Sequence, residues 1–85
     1  MSDQVFLGEM RQVLDEVYRD RDSAAVRDVY ARASAHVHLT ADRLALLNEI
    51  PEDGYTREEM AEAIDQVIMR RGAQDTLGLL QSPNR

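Results

Sequence analysis

Few residues in this chain have types and spacing suited to chemistry: His36 and His38, the acidic set Glu58, Glu62 and Asp65, and the run Asp20-Arg21-Asp22. On an extended segment a His-x-His pair turns both rings to one side, where a metal can use them. On a helix the rings point apart, and a site needs a third ligand that the neighbouring sequence does not supply. The plainer reading is a helix end where a histidine bonds terminal carbonyls, with mild pH sensitivity if the pair is protonated. Glu58, Glu62 and Asp65 fall on one face of a helical segment, with Met69 at its end. Paired carboxylates do acid–base work where burial or a neighbour separates their pKa values. These lie opposite the apolar stripe of their segment and are expected to be solvated. Met69 stands off that stripe beside the acids, and such a methionine can anchor an adaptable protein contact. Glu58, Glu62, Asp65 and Met69 are therefore the candidate partner-binding residues.

Other catalytic and binding arrangements are not found. Asp20-Arg21-Asp22 begins like a calcium loop, but Ala24 and Ala25 stand where oxygen ligands and glycine are needed. No serine has a Gly-x-Ser-x-Gly context, and the four glycines are too scattered for a phosphate loop. Cysteine is absent, which removes disulfides, thiolate chemistry and cysteine-based zinc sites. No enzyme activity, cofactor or metal is expected.

The elements that must position these residues are helical. Phe6, Met10, Val13, Leu14 and Val17 recur at steps of three and four, which predicts a helix over Asp3 to Arg19, capped by Ser2 or Asp3. The 4-3-4 spacing of Phe6, Met10, Val13 and Val17 also suits a short coiled-coil seam, so self-association into a homodimer is conceivable there. After the charged break 19–22, Ser23 or Asp22 is expected to cap a second helix reaching about His36, with Val26, Val29, Tyr30, Ala33 and Val37 inward. Thr40 caps a third, with Leu39 and Leu44 as a hydrophobic staple; Leu44, Leu47 and Ile50 face inward, and Leu46 is less clearly placed. Pro51 ends it, because the residue before proline avoids the helical region. Thr56-Arg57-Glu58-Glu59 is a capping box that opens a fourth helix with the stripe Met60, Ala61, Ile64, Val67 and Ile68. Arg70, Arg71 and Gly72 close it. Asp75 is expected to cap a last short helix, Thr76 to Gln81. The expected fold is all-α, a compact bundle of four helices plus a short C-terminal fifth, with residues 1–80 as one domain and 81–85 as a flexible tail.

Charge points to the kind of partner. The net charge is −6, and all ten basic residues are Arg. Such an exterior disfavours nucleic acid and anionic lipid, because phosphate neutralisation supplies most non-specific affinity. No stretch approaches a membrane span, and 1–4 carry no secretory signal pattern, so a cytoplasmic protein is expected. Heavy use of Arg, Ala, Asp and Val suggests a GC-rich bacterial genome. The expected function is a small acidic, non-enzymatic protein-binding domain (a regulator, adaptor or assembly factor) whose partner has a basic or apolar surface.

Two other layouts bear on function. Asp22-Ser23-Ala24 before a helix, with the chain's size and acidity, faintly resembles the acyl carrier proteins, where Asp-Ser-Leu carries a phosphopantetheine arm; here Ala24 replaces Leu, and the serine comes early. The segment Leu39 to Leu80 has a helix-turn-helix-like layout, which makes a DNA-binding or transcription-associated module the alternative. Its reader, Gln74 to Gln81, carries no basic residue, leaving phosphate contacts to Arg57, Arg70 and Arg71.

Overall fold

The apolar stripes read in the sequence each find a partner. The structure, a computed structural model, describes residues 4–36, 39–73, 75 and 78–80. Helix α1, Gln4–Val17, turns Phe6, Met10, Val13 and Leu14 inward, each at most 2% exposed. The residues of the coiled-coil-like seam are thus used inside the chain's own core, with only Val17 half-buried. The chain then extends through the two-residue strand β1, Ala24–Ala25, into α2, Val26–Ala33. Thr40 accepts from the Arg43 N–H at 3.4 Å and caps α3, Ala41–Leu44, which tightens into a 3-10 turn over Ala45–Glu49. Ile50, before Pro51, is extended as the proline requires. A second strand, β2, Gly54–Tyr55, leads into α4, Arg57–Arg70, and Gly72 follows at φ 67°.

The protein is mostly helical, and its elements form two helix–loop–helix units, α1 with α2 and α3 with α4. The strands join their loops: β1 pairs antiparallel with β2, Ala24 opposite Tyr55 and Ala25 opposite Gly54. A purely all-α bundle is therefore corrected by this small ladder. Its cause is local. The residues leading into α2 and α4 are extended, and the core brings both lead-ins side by side, where their backbone groups satisfy one another. Tyr18, just past α1, adds a bond from its hydroxyl to the Tyr55 carbonyl at 2.8 Å.

A single core underlies both units. Phe6, Met10 and Leu14 of α1 meet Val26 and Val29 of α2, Leu46 and Leu47 of the 3-10 turn, and Met60, Ile64 and Ile68 of α4. Leu46 is buried at 3% while Leu44 is only half-buried, the reverse of the expected ranking. The switch from α to 3-10 winding explains this, since it changes the angular step and re-aims the residues that follow. The molecule measures 34 × 26 × 21 Å.

Three boundaries also differ from expectation. α2 is shorter, and its N-cap is Ala25, because Ser23 and Asp22 lie before the strand. Of the expected fifth helix, Thr76, Leu77 and Gln81 lie outside the described residues, and Gly78 takes φ 82°, a left-handed conformation that does not continue a helix. The proposed caps Ser2 and Asp3, Val37 of the second stripe, and the tail 81–85 also lie outside them.

Candidate functional site

α4 presents the candidate residues, and its start explains why it is a firm platform. Thr56 accepts from the Glu59 N–H at 3.1 Å while Glu59 accepts from the Thr56 N–H at 3.0 Å, the reciprocal box read in the sequence. Tyr55, half-buried before the cap, packs on the core cluster that also holds Met60. Met60, Ala61, Ile64, Val67 and Ile68 are all buried, which fixes the rotation of the helix.

That rotation turns Glu58, Glu62 and Met69 outward. Met69, 41% exposed, is the only large hydrophobic side chain exposed among the described residues. Asp65 departs from the expectation of a solvated acid: it is 5% exposed. Its helical position still places it beside Glu58 and Met69. It is buried because the C-terminal segment folds over that flank of α4, where an Asp65 carboxylate oxygen accepts the Leu80 N–H at 2.6 Å. Gln66 takes its place on the open face, so the exposed row is Glu58, Glu62, Gln66 and Met69, at steps of four, four and three.

Beside this row runs an open groove of about 490 Å³. Its rim is acidic, with Asp53, Glu59 and Glu62, while Tyr55 and Ala63 supply its apolar surface. Glu62 and Gln66 belong to both the groove and the row. The sequence reading missed the groove because it joins the β2 loop to α4, and only the ladder fixes that loop against the helix.

A second cluster joins α1 to the end of α2. His36 Nδ1 lies 2.5 Å from Glu9 Oε1, and Nε2 lies 3.2 Å from Glu16 Oε1. A neutral imidazole carries one N–H and can donate to only one of two carboxylates; the imidazolium donates to both. These hydrogen bonds, the Glu9 bond foremost, raise the His36 pKa above 6.5, and the bond from His36 lowers the Glu16 pKa. Arg32 also approaches Glu16, at 3.8 Å. His36 therefore ties the end of α2 to α1 rather than bonding carbonyls at a frayed end. His38 lies outside the described residues. A signal was present in the sequence, since Glu9 and Glu16 stand seven residues apart on one helical face.

The remaining alternatives can be placed as well. A helix–loop–helix is the scaffold that carries calcium in EF-hands, but that loop needs oxygen ligands at fixed positions and a central glycine. Here Ala24 and Ala25 form a strand, and Asp28 is engaged by the Ala25 N–H at 3.2 Å and by Arg21 at 3.3 Å. Among the described residues no group of three His, Asp or Glu is arranged to hold a metal. Ser23 precedes the strand instead of opening a helix, unlike an acyl-carrier serine. The arginines offered to phosphate are paired: Arg57 with Asp15 at 2.5 Å, and Arg71 with Glu49 at 2.6 Å, with Arg70 at 3.9 Å from the same carboxylate. No described helix is long and apolar enough to cross a membrane.

In comparisons with known proteins, the chain matches no family model, no curated protein and no solved structure.

Proposed function

We propose that this chain is a non-enzymatic protein-binding domain, a regulator, adaptor or assembly factor. Its contact surface is the outer row of α4 (Glu58, Glu62, Gln66 and Met69) with the adjoining acidic groove. The observation that carries this reading is Met69, a large apolar side chain held exposed at the end of an acidic row on a capped helix. An isolated exposed methionine has no folding role, whereas a flexible thioether beside carboxylates suits an amphipathic partner with basic side chains. The chain's net charge of −6 steers such a partner toward it.

The test is affinity capture from the native cell with three tagged chains: wild type, Glu62→Arg, and Asp22→Arg as a charge-matched control on the first loop. A protein retained by wild type and control but lost with Glu62→Arg supports the reading. Identical capture by all three removes the row from consideration. Strong, salt-steep retention on duplex DNA would favour the helix-turn-helix alternative.

A further inference from the structure

A cavity of about 260 Å³ opens where α2 of the first unit meets the 3-10 turn of the second and the loop that follows it. Its floor is apolar and belongs to the common core: Val26 of α2, with Leu47 and Ile50 of the second unit. Tyr30 forms a wall, half-buried against that core. The rim is polar, with Arg27 from α2 and Asn48 and Glu52 from the second unit. Its charged groups are unspent. Arg27 and Glu52 line one cavity, yet they pair neither with each other nor with any other described residue. By contrast, Arg21, Arg32, Arg57, Arg70 and Arg71 each hold a carboxylate. The tyrosines repeat the contrast. Tyr18 and Tyr55 donate their hydroxyls to backbone carbonyls, whereas the Tyr30 hydroxyl has no acceptor among the described residues. An apolar floor with a few polar groups left to engage is the usual form of a small-molecule site. The volume falls below the ~300–1,000 Å³ of sites for drug-sized ligands, so it suits one ring or branched chain and little more. The charges select further. An apolar acid is repelled by Glu52 and an apolar amine by Arg27. A molecule with both charges satisfies both, and being net neutral it meets no repulsion from the chain's charge of −6.

We infer that this cavity binds a small zwitterion with a bulky apolar side chain, the chemistry of a free branched or aromatic α-amino acid. The ligand carboxylate accepts a charge-assisted bond from the Arg27 guanidinium, and its ammonium donates to the Glu52 carboxylate. Its side chain covers Val26, Leu47 and Ile50. Because Arg27 belongs to the first unit and Glu52 to the second, the ligand fastens the two units to each other and stabilises the folded chain. The cavity shares no residue with the α4 row or with the acidic groove, so either site can fail without the other.

The experiment titrates L-phenylalanine and L-leucine into the full chain and follows the backbone amide chemical shifts. At least one of them should give saturable shifts centred on residues 26–31 and 47–52, and should raise the melting temperature. N-acetyl-phenylalanine lacks the ammonium and phenylalaninamide lacks the carboxylate; each should bind at least about tenfold more weakly than the free amino acid. Arg27→Ala and Glu52→Ala should each weaken the free amino acid to a similar degree. Both side chains are exposed, so the variants should melt like wild type without ligand. The inference is overturned if neither amino acid gives saturable shifts, if the capped forms bind as well as the free one, or if the shifts map elsewhere or persist in both variants. Tighter binding of the blocked peptide acetyl-Glu-Phe-Arg-amide than of either amino acid would assign the cavity to a side chain of a protein partner and overturn the small-molecule assignment.

Discussion

The two helix–loop–helix units enter their second helices in nearly the same way, and the difference lies in one side chain. In both, the residue before the helix is extended, and an acid three positions later accepts its backbone N–H: Asp28 for Ala25 and Glu59 for Thr56. Only the second unit returns the bond, through the Thr56 hydroxyl. The comparison teaches that the acid at the third position is enough to shape the lead-in. The hydroxyl adds a second satisfied donor and the signature that makes the helix start visible in sequence.

The largest effect should come from what both units share. Ile64, fully buried where α4 meets the common core, should cost about 2–5 kcal/mol when changed to Ala. Chemical denaturation should show one transition at a lower midpoint with an unchanged slope. Two separated transitions would mean that the units fold independently. The next effect sharpens the contrast between the caps. Thr56→Ala should cost roughly 1 kcal/mol, while Ala25→Ser should gain a fraction of that by completing the first box. Equal and negligible changes at both sites would break the parallel.

A third prediction addresses the histidine tie of the first unit, between the end of α2 and α1. The folded-state pKa of His36 is raised above its unfolded value near 6.5. Its contribution is therefore fully present below pH 6.5 and is lost as pH rises through the folded-state pKa. Glu16 is shifted the opposite way: its contribution is present above 4.5 and is lost as pH falls through its lowered value. Stability should decline on the alkaline side of pH 6.5 in wild type and be flatter in His36→Gln. Melting temperatures across pH 5.5–8.5 would check this, and parallel curves for the two chains would contradict it.

Legibility followed the range of the interaction. α4 was readable throughout because its cap, stripe and terminal glycine are local signals, and each was found in place. The stripe of α1 was readable as well, since its three-and-four spacing is local. The start of α2 was misread because Ala25 has no capping side chain, and Ser23 and Asp22 offered more familiar ones. The ladder was missed because two-residue strands are too short to alternate, and their pairing joins positions thirty residues apart. In the candidate site, Glu58, Glu62 and Met69 followed from helical spacing. Asp65 obeyed the same spacing but was covered by residues far along the chain, an event that periodicity does not encode. Gln66, uncharged and unremarked by motif, entered the row only once Asp65 left it.

The most direct test of the contact surface is site-specific photo-crosslinking in the native cell. A photoreactive amino acid placed at Gln66, in the centre of the row, should yield one dominant adduct with another protein. The same group at Asp22 on the first loop should yield none. An adduct from Asp22 with silence at Gln66 would place the contact surface elsewhere and contradict the account.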